Sequence, residues 1–213
     1  MSKSSVDLAS LLCSRLCHDM LSPVGALMNG LELLADEKDP EMRQRCFELL
    51  EQSARTSTDK LKFFRLAFGA AGGFGEAIAT DEVRSLIDAL VAGNDRISVN
   101  WALGVAALPK PAAKVLLNFA QIAIDALVRG GEIDIAAEVR DGTSEIVVRA
   151  AGPKIAFDET IGNSLEGTLQ LEQLSSRTAA AHMLHVLAQE CGGKLQYALT
   201  GDALVLGAIL PGE

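Results

Sequence analysis

The chain has 213 residues, half of them apolar, few aromatics and a formal net charge of −9. That length suits one large or two small domains, and the composition favours helices packing through Leu and Ala. With no basic block, a nucleic-acid binder is excluded. No apolar run reaches the ~18 residues that span a bilayer, and Met1-Ser2-Lys3-Ser4-Ser5-Val6-Asp7 lacks the apolar core and cleavage site of a signal peptide. The expectation is a soluble, cytoplasmic protein that contacts neither nucleic acid nor membrane.

Two long helices open the chain. The first is predicted from about Asp7 to Ala35, with Leu16, Met20, Leu27 and Leu34 on one face, widened by Leu12 and Leu31. Asp36-Glu37-Lys38-Asp39-Pro40 is a turn, in which Asp39 suits a cap and Pro40 a first helical position. The second helix runs from about Pro40 to Phe68, with an inner stripe of Cys46, Leu50, Ser53, Ser57, Leu61, Phe64 and Phe68. Gly69 to Gly75 then break the pattern. The chain divides into a helical hairpin of residues 1–70, a linker of 71–75 and a second unit of 76–213. One hairpin cannot bury its whole apolar stripe, so a homodimer through residues 7–70, forming a four-helix bundle, is expected. The alternative is packing of the hairpin on the second unit of the same chain. Cys13 and Cys17 are read as small core residues on the inner or lateral face. Their spacing from His18 is one residue too long for haem attachment.

In the second unit, helices are predicted over Thr80–Ala92, Ala112–Val128 and Ser175–Gln189, with a short one near Phe157–Asn163. Strands are predicted over Arg96–Trp101, Glu132–Arg140, Ser144–Ala150, Lys194–Thr200 and Ala203–Ile209. The turns Asp141-Gly142-Thr143 and Gly201-Asp202 mark two strand hairpins. This order implies a mixed sheet covered by helices on one face: an α/β sandwich behind a helical hairpin, α+β in class.

His18 stands out in the first helix. It points away from the apolar face, on a strip shared with Ser14, Arg15, Ser22, Gly25 and Asn29, with Leu11 further up. These side chains are mostly small or polar, so a second protein can approach closely. Pro23 lies mid-helix, where it deletes one backbone hydrogen bond and crowds the Asp19 carbonyl, at a cost of about 3 kcal/mol. The string His18-Asp19-x-x-Ser22-Pro23 resembles the H-box of two-component histidine kinases. The hairpin turn brings His18 level with residues near 57, where Thr56, Ser57, Thr58 and Lys60 are polar. These are either a docking groove, with Thr56 and Lys60 as contacts, or a solvated face.

The second unit resembles the histidine-kinase ATP-binding domain, the Bergerat fold, with parts missing. In the helix that would hold magnesium, Asn118 remains, but the next asparagine of the pattern is replaced by Gln121-Ile122. Where an Asp-x-Gly-x-Gly motif belongs stands Arg149-Ala150-Ala151-Gly152-Pro153, and no Gly-x-Gly lid lies between 154 and 175. One candidate ligand does not make a magnesium–triphosphate site, so no bound nucleotide, other cofactor or metal is expected. His182 and His185, with no third ligand near in sequence, do not read as a metal site.

A hairpin H-box joined to a degenerate kinase-like domain is similar to histidine phosphotransferases of the ChpT type, from alphaproteobacterial cell-cycle phosphorelays. The similarity runs through Leu12–Asp19, Phe64–Ala70 and Val115–Ile122. It implies that His18 is phosphorylated, attacking through Nε2, with Asp19 in support. The phosphoryl group would come from the receiver domain of a hybrid kinase such as CckA and pass to receivers such as CtrA and CpdR, with Mg2+ supplied by the receiver and no ATP consumed. Docking contacts would fall on Leu11, Ser14, Arg15, Ser22, Gly25, Asn29, Thr56 and Lys60; Arg15 serves either a phosphoryl group or an ordinary salt bridge. Rival readings are a divergent ATP-using kinase, a non-enzymatic receiver-binding scaffold, and a phosphatase acting through Ser22.

Overall fold

The computed structural model describes residues 5–69 and 77–212, so the whole predicted linker, residues 71–75, lies outside the described residues. Helix α1 spans Ser5–Asp36 and α2 spans Pro40–Ala67. They run antiparallel: Arg43 donates to the Leu34 carbonyl at 3.2 Å near the turn, and Lys60 donates to the Asp19 carbonyl at 3.0 Å further along. Asp39 caps α2 by accepting from the Glu41 N–H, with Pro40 at the first position. His18 is therefore level with residues near 60 rather than 57.

The seam of α1 follows Leu16, Met20, Pro23, Leu27, Gly30 and Leu34. Pro23 and Gly30, two turns apart, are buried. On α2, Cys46, Ser53, Phe63, Phe64, Leu66 and Ala67 are buried, but Leu61, expected on the inner stripe, is exposed. Leu31, expected to widen the inner face of α1, is exposed too. Cys13 and Cys17 are likewise exposed rather than in the core, whereas Cys46 is buried. The physical reason is shared. The two helices meet along a narrow seam repeating every seven residues, and these side chains sit about a quarter-turn off it.

Pro23 explains the Lys60 contact. Proline has no N–H to offer the carbonyl four residues back, which is that of Asp19. Lys60 fills the gap with its ammonium group, half-buried between the helices.

The second unit follows as β1 (Ala77–Ala79), α3 (Thr80–Val91), β2 (Ile97–Leu103), β3 (Ala107–Pro109), α4 (Lys110–Ala126), β4 (Gly131–Arg140), β5 (Thr143–Ala151), α5 (Glu159–Leu165), α6 (Ala179–Glu190), β6 (Lys194–Leu199) and β7 (Ala203–Pro211). The sheet order is β2-β4-β5-β7-β6, parallel between β2 and β4 and antiparallel elsewhere. The β4–β5 turn has two residues, Asp141 and Gly142, both at positive φ, the conformation that suits the twist of a tight hairpin. Strand residues alternate: Ile133, Ile135, Ile146, Val148, Leu204 and Leu206 are buried, while Glu145, Val147 and Ile209 point to the open face. The expected mixed sheet covered on one face is what forms. The short antiparallel ribbon of β1 and β3 was not anticipated, because three-residue strands carry too little alternation to read.

The hairpin does not stand apart from the sheet domain. Phe63, Phe64, Leu66 and Ala67 belong to the same buried cluster as Leu116, Leu117 and Phe119 of α4. The C-terminal end of α2 thus packs on the second unit, and Gln52, midway along α2, still lies beside Gly93 just past the end of α3. Asn118 strengthens this junction: buried, it donates to the Lys114 carbonyl at 2.9 Å and reaches the Ala67 carbonyl at 3.4 Å.

Replacing Lys60 with Met should lower stability by about 2 kcal/mol, the worth of a hydrogen bond from a charged donor to an otherwise unpaired carbonyl. In a Pro23→Ala background, where an amide N–H reaches the Asp19 carbonyl, the same change should cost under about 1 kcal/mol. A double-mutant cycle by urea denaturation measures the difference.

Candidate functional site

His18 stands on the outer strip of α1 with its side chain 85 % exposed. Its Nδ1 lies 3.3 Å from Asp19 Oδ1, which leaves Nε2 facing outward. Asp19 is held more firmly than an adjacent surface residue would be. Its other carboxylate oxygen accepts from Arg15 Nε at 3.0 Å, one helical turn back, and its own carbonyl accepts from Lys60.

Arg15 also reaches out of the hairpin. Its Nη2 donates to Asp125 Oδ2 of α4 at 3.0 Å, and Nη1 lies 3.5 Å from the Arg177 carbonyl. Burial between hairpin and sheet domain opposes the guanidinium charge, but Asp19 and Asp125 outweigh it and raise the Arg15 pKa above its ordinary value. Burial raises the Asp125 carboxyl above the usual range, even though its side chain is half open to solvent; Arg15 and Gln121 pull in the other direction. Gln121 donates to Asp125 Oδ1 at 2.8 Å.

These groups line an open cleft of about 430 Å3 between hairpin and sheet domain, with His18, Asp19 and Arg15 on one wall and Asp125, Asp158 and Arg177 on the other. Asp158 caps α5 through the Thr160 N–H, and Arg177 lies 3.6 Å from its carboxylate. The Thr160 hydrogen bonds, helped by Arg177, hold the Asp158 carboxyl below the usual range.

The structure sorts the sequence-derived contact residues. Ser14, Ser22 and Asn29 are exposed on the same side of α1 as His18, with Leu11 and Gly25 partly so, and nothing stands within 4 Å of where a Gly25 Cβ would be. Thr56 is exposed on α2. Arg15 and Lys60 are instead turned inward and occupied by Asp19, Asp125 and the Asp19 carbonyl. Sequence reasoning missed Asp125, Gln121, Asp158 and Arg177. Asp125 did carry a signal: it is the lone acid in the helix Lys110–Ala126. Of the two remaining histidines, His185 bonds the Leu165 carbonyl through Nδ1 at 3.0 Å. Among the described residues no group of three or more His, Cys, Asp or Glu side chains could hold a metal ion, and no helix is long and apolar enough to cross a membrane.

An exposed H-box histidine on an antiparallel hairpin, backed by a kinase-like sheet domain, marks a protein of the phosphohistidine signalling class. Residues 80–203 match the family model of the histidine phosphotransferase C-terminal domain. The chain is 33 % identical over 205 residues, 96 % of each chain, to protein phosphotransferase ChpT of Brucella abortus (strain 2308). A solved bacterial phosphotransferase at 31 % identity superposes with a TM-score of 0.84, covering 98 % of each chain. The histidine kinase domain of the Erythrobacter litoralis EL346 blue-light activated kinase shares the fold at 13 % identity and a TM-score of 0.50, over 89 % of this chain and 94 % of that one. The chain belongs to the ChpT-type histidine phosphotransferases and is a phosphotransferase enzyme.

Replacing Arg15 with Ala strips the partner from two carboxylates at one junction and should cost about 2 kcal/mol in urea denaturation. Arg15→Lys should restore only part of it, since an ammonium is a point charge and does not span two carboxylates as a planar guanidinium does.

Proposed function

We propose that His18 takes a phosphoryl group from the receiver-domain aspartate of a hybrid histidine kinase and passes it to the receiver aspartates of response regulators, without using ATP. The observation that carries this is the geometry at His18: Nδ1 faces the Asp19 carboxylate and Nε2 faces open space. An ionised carboxylate only accepts, so Nδ1 carries the proton and Nε2 keeps its lone pair. That lone pair attacks the phosphorus of the receiver's aspartyl phosphate. The N–P bond forms as the P–O bond to the aspartate breaks, and a free carboxylate leaves. The ring keeps its Nδ1 proton and becomes a cation, whose charge Asp19 offsets. On the return step a second receiver's carboxylate oxygen attacks the phosphorus, the N–P bond breaks and neutral imidazole departs. Positioning and charge neutralisation carry both steps, and Mg2+ comes with the receiver.

One feature supports the absence of ATP use. The amide N–H groups of Asn118, the residue retained from the magnesium-binding pattern, are committed to the Lys114 and Ala67 carbonyls. By family resemblance the donor is a CckA-like kinase and the acceptors are regulators such as CtrA and CpdR, in a cytoplasmic cell-cycle relay.

The exposed strip of the hairpin leaves room for a receiver, and the opposite flank supports a homodimer. Leu21, Val24, Met28 and Leu31 follow one another at spacings of three and four along α1, and each is 45 to 69 % exposed. Helical geometry places Phe47 and Leu61 of α2, also exposed, on the same side of the hairpin. A second copy laid on this face buries both sets and completes a four-helix bundle.

Mixed with a phosphorylated receiver domain and no nucleotide, the protein should acquire acid-labile phosphate, and His18→Ala should abolish it while receiver binding persists. Binding without label in the wild type would point to a scaffold instead. In light scattering the wild type should have twice the 22.5 kDa mass of one chain. The double change Leu21→Glu, Met28→Glu should halve it and speed alkylation of Cys17, which lies on the same flank.

A further inference from the structure

We propose that Asp125, on the sheet domain, is a positioning residue for phosphotransfer at His18: acting through Arg15 and Asp19, it fixes the imidazole with Nδ1 protonated and Nε2 free. The inference rests on the relay reading of His18 and deepens it by giving the second domain a part in the reaction.

The contacts form an unbroken chain. Gln121 Nε2 donates to Asp125 Oδ1 at 2.8 Å, and Arg15 Nη2 donates to Asp125 Oδ2 at 3.0 Å. From the same edge of the guanidinium, Arg15 Nε donates to Asp19 Oδ2 at 3.0 Å, which turns Asp19 Oδ1 towards His18 Nδ1 at 3.3 Å. Each carboxylate uses both oxygens, so neither can rotate without breaking a bond. Within α1 alone this would not hold. An isolated i,i+4 pair of Arg and Asp is worth less than thermal energy on an open surface, and Asp19 would sample other rotamers. Asp125 changes that in two ways. It anchors the outer nitrogen on that same edge of Arg15 to a different element, and it sits where hairpin and sheet domain meet, leaving the Arg15 side chain only 19 % exposed. Shielded charges interact more strongly than solvated ones.

Gln121 gives the chain its second support. It belongs to the pair Gln121-Ile122 that replaces the further asparagine of the ATP-binding pattern, and its amide donates to the Asp125 carboxylate. Gln121 and Asp125 together thus join α4 to Arg15 on the histidine's own helix. Nothing in α1 alone would make that necessary; the need arises because His18 is exposed and its orientation has only one neighbour to define it.

Free imidazole interconverts between its two tautomers, and only one has its lone pair on Nε2. Losing the restraint on Asp19 therefore lowers the fraction of His18 ready to attack without removing any group that touches the receiver. The test is 15N NMR of the full chain at a pH where the imidazoles are neutral. His18 is assigned by its loss in His18→Ala, and the tautomer ratio is compared with nucleotide-free phosphotransfer rates. Wild type should show His18 chiefly as the Nδ1–H form. Asp125→Asn, close to isosteric, should shift it towards the Nε2–H form and slow transfer about tenfold with receiver affinity unchanged; Asp125→Glu should recover much of both. If Asp125→Asn unfolds, Gln121→Met, which frees only the far oxygen of Asp125, should move the tautomer ratio in the same direction. A wild-type tautomer ratio in the folded variant, whatever its transfer rate, would overturn the proposal and reduce the Arg15–Asp125 pair to a structural tie. A wild-type protein that takes no label from any receiver would remove the relay itself, and with it the reaction Asp125 is proposed to serve.

Discussion

Asp19 is gripped at three points, and the site is built around that grip. Its backbone carbonyl takes a proton donor from Lys60 of the neighbouring helix, one carboxylate oxygen takes Arg15, and the other faces His18. Each grip has a separate origin. The first exists because Pro23 cannot supply the amide that an ordinary helix would. The second follows from one turn of helical spacing. The third is simple adjacency in sequence. A residue tied so fully can orient a neighbour whose own side chain is almost free in solvent.

Joining the hairpin to the sheet domain supplies the remaining constraint. The lower end of α2 packs into the core of the second unit through Phe63, Phe64, Leu66 and Ala67, and this fixes where α1 passes the C-terminal half of α4. Arg15 and Asp125 meet as a consequence. The sheet domain thus buttresses the hairpin and brings an acid within reach of the histidine's own helix. Asn118 adds to the junction, since its amide ties α4 to the end of α2.

The hairpin is asymmetric in a way that matches its chemistry. One flank of α1, with Arg15 and Asp19, is turned to the sheet domain. The outer strip, with His18, Ser22 and Asn29, is open. The remaining flank, with Leu21, Val24, Met28 and Leu31, is apolar and uncovered within one chain. The histidine lies on the open strip, at the mouth of the cleft between hairpin and sheet domain.

Much was legible in the sequence because its signals are local. The two helices and their turn follow from the seven-residue seam, Asp39 and Pro40. The sheet hairpins follow from strand alternation and Asp141-Gly142, and the histidine from His18-Asp19-x-x-Ser22-Pro23. The broad helical stripe is only partly covered within one hairpin: Leu31, Leu61, Cys13 and Cys17 belong to it, but two helices cover only a narrow part, so these side chains are exposed in the single chain. What only the tertiary structure decided are the long-range partners. Arg15 and Lys60 read equally well as docking contacts, and Asp125, 110 residues from Arg15, could not be assigned to the site at all. Such pairs are set by how whole elements pack, and a charged side chain's partner across that distance leaves no periodicity in the chain that carries it.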